Sequence, residues 1–508
     1  MTMIGYDPRT GEHLSTPVTE TTPEEVERHC RAAAVASAEL ADLTAWPLSR
    51  RAGLLRGVAA VLDAHAEELA GLADAETALG AGRLTGEVAR TTGQLRLLAD
   101  AAAEGSFSEV IIDHAQPSGG PQARPDLRRM LLPIGPVAVY AAANFPFAFS
   151  VAGGDTAAAL AAGCPVVVKA HPGHPRTSQR TAELVRQACR DAGAPEGTFA
   201  IVHGLAAGRQ LVMDPRIRAA AFTGSARGGR ALFDLAASRP DPIPFYGELG
   251  SINPVFVTAA SAAARGADIA AAFAASMTLG NGQFCTKPGL LFLPEGHGMD
   301  GALADAVSSG APAAMLTPQI HDGFGAAVHD LATTEGVRLL AAAPAPDGDS
   351  PLTPPQLYAT TAAVLARNPQ LADECFGPSS LVVEYRDEDE LISAAASVPG
   401  SLAAAVHAEP SDERLSRRLL GVLRTRAGRI VWSGWPTGVA VTWAIHHGGP
   451  WPATTAAAHT SVGPPAIRRF LVPVAFQDTP PHLLPAALQD ANPLRLPRRV
   501  DGRPEAPA

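Results

Sequence analysis

Residues Val137 to Ala170 read VAVYAAANFPFAFSVAGGDTAAALAAGCPVVVKA, and how this stretch is parsed decides the fold. It can be taken as one long apolar span or as strand, loop, helix and strand. The uncharged run extends from Met130 to Gly154, long enough to cross a bilayer. However, Pro133, Pro136 and Pro146 interrupt any helix there. VAVYAAA is then a short buried strand, DTAAALAAG a helix closed by Gly163, and CPVVVKA a second strand.

The same alternation continues outward. RTSQRTAELVRQACRDAG is a helix closed by Gly193, TFAIVHG and AAAFTGS are strands, and ARGGRALFDLAA is the next helix. Strands separated by helices of this length imply parallel crossover units and a doubly wound sheet. A second series begins near INPVFVTA and runs past SLVVEY. Upstream, residues 22–105 are rich in Ala, Leu and Glu behind a Thr-Pro-Glu-Glu start, which predicts a helical leader. The last forty residues predict a proline-rich tail with one strand.

Composition sets limits on function. A chain of 508 residues suggests two to four domains. Its net charge of -10 is spread without long acidic runs and offers no basic footprint, which argues against nucleic-acid binding. The five cysteines, Cys30, Cys164, Cys189, Cys285 and Cys375, lack disulfide or zinc-knuckle spacing, so reduced thiols and a cytoplasmic location are expected. The N-terminus has no charged start followed by an apolar stretch, and no membrane span is expected.

Only two of the 40 basic residues are lysines, Lys169 and Lys287. Lys169 stands at a predicted strand end, either as a compact ammonium donor to a ligand or as a snorkelling edge residue. Thr223-Gly224-Ser225 marks another strand end, where a helix begins; it offers free N–H groups to a phosphate or simply an N-cap by Ser225. Cys285, in GQFCT, is an accessible loop nucleophile or a buried structural thiol. Lys287, two residues on, brings a positive charge near it, though a side chain two positions away in an extended loop faces elsewhere. Glu248, in FYGELGS, lies between glycines and projects from a loop as a base or as a solvated turn residue. His171, His174, His446 and His447 lack metal-ligand spacing, so no metal is expected.

Together AAANFPF, FTGS with GELGS, GQFCT and ECFGP, in that order, resemble the aldehyde dehydrogenase superfamily from about residue 20 to 475. The resemblance implies an aldehyde dehydrogenase-like α/β fold. Doubly wound parallel sheets would form a cofactor domain (1–125 and 147–247) and a catalytic domain (248–467). A small β oligomerisation element (126–146 and 468–508) would join copies into a homodimer or homotetramer. It also implies that Cys285 attacks an aldehyde, that Asn144 and the Cys285 N–H hold the oxyanion, and that Glu248 activates the hydrolytic water. Lys169, Gly224, Ser225, Glu374 and Phe376 would contact NAD or NADP. Phe145, Lys287 and Trp435 would contact substrate.

Four positions depart from the family pattern. Pro172 replaces a ribose-binding acid of many NAD-preferring members, so NADP is expected to serve at least as well as NAD. Gly153 replaces a lysine proposed to relay protons. FSVAGGDTAAALAAGCPVVVKAHPGHP and GWPTGVAVTWAIHHGGPWPATT look most like the 2,5-dioxopentanoate (α-ketoglutaric semialdehyde) branch, near NADP-linked fatty aldehyde enzymes. In that branch Lys287 and Ala440 usually are Asn and an acid. The expected activity is oxidation of 2,5-dioxopentanoate or a related aliphatic semialdehyde. The alternatives are a medium-chain or pathway-specific aldehyde, an acylating enzyme that uses coenzyme A, and a non-catalytic protein of this fold.

Overall fold

The computed structural model describes residues 2–116, 123–346 and 350–505. Val137–Tyr140 is the central strand of a five-stranded sheet, flanked by Val166–Lys169 and Phe199–Val202 on one side and by Ala219–Thr223 and Phe245–Glu248 on the other. Every pairing is parallel. All four residues of the central strand are buried, as a strand covered by helices on both faces requires. No described helix is long and apolar enough to cross a membrane.

Four helices, Pro23–Ala41, Leu48–Ala64, Ala66–Thr77 and Ala81–Glu104, form the leader. The first opens on a capping box: Thr22 Oγ1 accepts from the Glu25 N–H, and the Glu25 carboxylate accepts from the Thr22 N–H. Arg51 is buried between elements and donates to the carbonyls of Leu40 and Ala162, satisfying two helix C-termini at once. Gly163 closes the helix Gly154–Ala162 in a left-handed conformation (φ 93°), and a Cβ there would strike the Arg51 guanidinium.

A second, seven-stranded sheet runs Arg338–Ala342, Gln356–Thr361, Ser379–Tyr385, Leu290–Pro294, Val255–Val257, Ser401–His407, Ala427–Trp432. Only its first strand is antiparallel. A third, mixed sheet joins Leu471–Gln477, Leu127–Pro133, Val110–Asp113, Arg498–Val500 and Arg503–Glu505.

The third sheet departs from the expected boundaries. The tail carries three strands rather than one, because Arg498–Val500 completes its backbone pairing on Val110–Asp113, which lies nearly four hundred residues earlier. Val110–Asp113 falls within the span 1–125 expected for the cofactor domain. Conversely, Val137–Tyr140, grouped with the bridging element, is the centre of the first parallel sheet.

Candidate active site

Ligands bind doubly wound sheets outside the carboxyl ends of the strands, and the reactive residues gather there. Glu248 ends the strand Phe245–Glu248, not an exposed loop, and is 3% exposed. Cys285 lies in the loop between the helix Ala259–Thr278 and the strand Leu290–Pro294, and is half-buried. His447 and Ser461 arrive from the segment after the strand Ala427–Trp432. The Cys285 Sγ is 3.7 Å from His447 Nε2, and that nitrogen is 2.8 Å from Glu248 Oε1. Ser461 Oγ donates to Glu248 Oε2 at 2.6 Å.

This arrangement splits the acidities. Burial pushes the Glu248 carboxyl up, but the facing His447 imidazole and the hydrogen bonds from His447, Ser461 and Cys285 outweigh it and hold the group below its ordinary range. Burial, and then the Glu248 charge beside it, push the Cys285 thiol well above its ordinary range, while Arg90 pulls the other way. The resting pair is therefore a carboxylate next to a neutral thiol. The donor atoms of Glu248, Cys285 and His447 all lie within 4.8 Å of one another, a spacing a metal could also use. The direct 2.8 Å contact of His447 Nε2 with the carboxylate is that of a hydrogen-bonded acid–base pair.

Asn144 lies in the loop after the strand Val137–Tyr140. Its Nδ2 donates to the Gln283 carbonyl at 2.9 Å, which fixes the amide against the Cys285 loop and leaves one N–H for another acceptor. Phe145 meets Phe284, the neighbour of Cys285, edge-to-face at 5.1 Å, and Phe149 at 5.4 Å; Phe149 is 6.0 Å from His447. An aromatic wall thus borders the thiol.

Two expected substrate contacts are placed elsewhere. Lys287 is buried, and its Nζ donates to the carbonyls of Cys375 (2.7 Å) and Ser379. Its charge is spent on backbone oxygens. Together with Glu374 and Cys375 it lines a cavity of about 350 Å³ that does not include Cys285. Trp435 is half-buried on His407 and Phe273, against the edge of a core cluster of the second sheet.

The residues expected to meet a cofactor lie at the ends of strands, at a helix start and in a loop. Lys169 ends its strand half-buried, with no hydrogen bond or ion pair among the described residues, and burial pushes its ammonium down to about 8. Ser225 caps the helix Ala226–Ser238 through Oγ and the Gly228 N–H at 3.2 Å, so the capping reading holds. The remaining N–H groups of that turn stay available. Gly224 donates its N–H to the Glu248 carbonyl, tying this turn to the reactive centre. Glu374 and Phe376 are half-buried, and burial pushes the Glu374 carboxyl up to about 7. The next helix start, Pro175–Asp191, is already taken: the buried Glu76 carboxylate accepts from the N–H groups of Arg176 and Thr177 and from the Thr177 hydroxyl.

His447 and Ser461 carry no local sequence signal of this role: the doubled histidine in AIHHGGP reads only as a metal ligand without the spacing for one, and nothing in TSVG signals that Ser461 meets a carboxylate 213 residues away.

Known proteins resemble this chain along most of its length. The family model described as "Aldehyde dehydrogenase family" matches residues 2–449. The chain is 44% identical over 510 residues to α-ketoglutaric semialdehyde dehydrogenase 2 of Azospirillum brasilense, covering 99% of this chain and 96% of that protein. It is 42% identical over 456 residues to α-ketoglutaric semialdehyde dehydrogenase of Acinetobacter baylyi, covering 89% and 87%. Among solved structures, lactaldehyde dehydrogenase from Escherichia coli superposes with a TM-score of 0.79 at 20% identity, covering 94% of this chain and 96% of that one.

Proposed function

This chain belongs to the aldehyde dehydrogenase family and oxidises an aldehyde to the acid with NAD(P); we propose that its substrate is a short semialdehyde with a carboxylate at the far end, of the 2,5-dioxopentanoate class. The observation that carries the chemistry is the Cys285–His447–Glu248 cluster. The substrate class is supported by the likeness to the two α-ketoglutaric semialdehyde dehydrogenases.

In this reading the Cys285 thiol gives its proton to water as the aldehyde binds, and the His447 N–H, 3.7 Å from the sulfur, stabilises the thiolate while the Glu248 carboxylate stays unprotonated. The sulfur adds to the aldehyde carbon, and the oxygen charge that develops is met by the second Asn144 N–H and the Cys285 backbone N–H. When bound, the nicotinamide supplies the hydride acceptor. The thioester left on Cys285 is hydrolysed by a water whose proton passes to Glu248, held in place by Ser461 and His447. A hydrolytic base so close to the sulfur favours acid release over transfer to coenzyme A.

Lys169, Ser225 and Glu374 would hold the dinucleotide, with Gly224 allowing close approach and Phe376 beside it. With Pro172 in place of an acid, a 2′-phosphate meets no repelling carboxylate there. NADP should serve at least as well as NAD, and a hundredfold preference for NAD would overturn this. We also assign the mixed sheet to homo-oligomer contacts, and the five free thiols to a reducing cytoplasm. Purified protein given 2,5-dioxopentanoate, pentanal and octanal with each cofactor tests the substrate class. The highest kcat/KM should fall on the carboxylated aldehyde; a preference for octanal would refute that choice.

A further inference from the structure

Arg90 lies beside the reactive thiol with nothing to bind. It stands on the helix Ala81–Glu104, one turn after Glu87 and two after Arg83. Each of these neighbours has a visible task. Glu87 Oε1 accepts from the Phe147 and Ala148 N–H groups at 2.9 and 3.0 Å, pinning the helix to the Asn144 loop. Arg83 donates through Nη2 to the Asn144 carbonyl at 2.8 Å. Arg90 makes no hydrogen bond or ion pair among the described residues; its Nη1, like Arg83 Nη1 and Glu87 Oε2, is buried without a partner, but those two side chains are held by their other atoms.

Its surroundings point it to the substrate. The guanidinium carbon is 5.4 Å from the Phe149 ring centroid and 5.9 Å from that of Phe145, the two rings that wall the thiol. Besides Glu87, the charges it senses are Cys285 and Glu248. Burial already works against its charge. A guanidinium nitrogen buried without an acceptor, as Nη1 is in this half-buried side chain, costs free energy that a bidentate carboxylate returns. Of the other nearby cations, Arg83 is held on the Asn144 carbonyl, and Arg429 spends its fork on the carbonyls of Gly438 and Pro436.

We propose that Arg90 grips the far carboxylate of the aldehyde, with Phe145 and Phe149 flanking the carbon chain, and so selects semialdehydes over neutral aldehydes. This rests on the carboxylated substrate class proposed above. A competing role, in which the Arg90 charge favours the Cys285 thiolate, would act on every aldehyde alike.

The two separate in a comparison of 2,5-dioxopentanoate with pentanal, of equal carbon count, in wild type, Arg90→Met and Arg90→Lys. Arg90→Met should lose roughly 10–100-fold in kcat/KM on the carboxylated aldehyde, the worth of a charge-assisted hydrogen bond, chiefly through KM. Pentanal should lose far less than the carboxylated aldehyde, Arg90→Lys should recover part of the loss, and any displacement of the Cys285 alkylation profile to higher pH, from the lost pull of Arg90 on the thiol, should be too small to account for the difference between the two aldehydes. Equal losses on both aldehydes with a displaced alkylation profile overturn the proposal in favour of the thiolate role. A wild type selective for the carboxylated aldehyde whose selectivity survives in Arg90→Met overturns the assignment of Arg90 alone. A wild type with no such selectivity overturns the substrate class and this inference together. Should Arg90→Met fail to fold, the Arg90→Lys and Arg90→Gln pair carries the same comparison.

Discussion

Glu248 carries two effects of opposite sign, and one substitution separates them. Its charge disfavours the Cys285 thiolate, while its basicity serves hydrolysis. Glu248→Gln removes both. Cys285 alkylation by iodoacetamide should therefore shift to lower pH, even as steady turnover falls by roughly 10²–10⁴, the usual contribution of a general base. Alkylation that moves to higher pH would mean the carboxylate helps ionise the thiol instead. His447 sets where that base works. It is a main reason the buried carboxyl stays below its ordinary range, so His447→Ala leaves burial opposed only by the Ser461 and Cys285 hydrogen bonds and raises the carboxyl's affinity for a proton. A group needed as a carboxylate loses function as pH falls through its pKa, so the acid limb of kcat should move to higher pH in this variant. An unmoved limb would show that another group controls it.

The cysteine loop is built from backbone conformations that few residues tolerate. Gly280, Asn281 and Gly282 are consecutive left-handed residues (φ 59°, 55° and 64°), a sequence suited to glycine and asparagine. Gly282 also lies against the Gly377 backbone, where a Cβ would come within 2.1 Å of the carbonyl oxygen. Lys287 crosses the same gap through the carbonyls of Cys375 and Ser379, so the loop of the nucleophile is stitched to the segment bearing Glu374 and Phe376. Gly282→Ala should therefore lower the melting temperature and cut turnover by more than an exposed Gly→Ala change such as Gly421→Ala, whose site is open; equal effects would deny the loop this role. The sequence spells out the glycines, the strand ends at Lys169 and Thr223, and the order of Asn144, Glu248 and Cys285, because each is fixed by local backbone needs. It does not reveal what Lys287 touches, since its acceptors lie 88 and 92 residues away and backbone carbonyls carry no residue signature. Arg90 is equally hidden, being one of three arginines on an amphipathic helix.

At the scale of the molecule, the third sheet ties the end of the chain to its beginning. Apolar periodicity predicted the two parallel sheets because their strands are buried on both faces; the tail has short, proline-broken strands whose pairing partners are distant, and its pattern falls below that signal. Its packing is nonetheless that of a core. Leu484, Ala487, Leu488 and Leu496 are buried with Leu48, Val110, Ile112 and Met130. Arg128, itself buried, bonds the Leu488 carbonyl and the Asp490 carboxylate, both supplied by the tail. Deleting residues 480–508 strips Arg128 of these partners and exposes Met130 and Ile112. With each large apolar side chain worth about 1.5–3 kcal/mol when buried, the loss should reach several kcal/mol. None of Cys285, Glu248, His447 or Asn144 contacts the deleted segment by a hydrogen bond among the described residues. The truncated enzyme should thus melt several degrees lower, about 2–4 °C per kcal/mol at most for a chain this long, while its kcat at low temperature stays near that of the full chain. Calorimetry paired with turnover at 15 °C reads both quantities. An unchanged melting point would show that the tail is an appendage; a kcat that falls in step with stability, in folded protein, would show that the mixed sheet also holds the active site in shape.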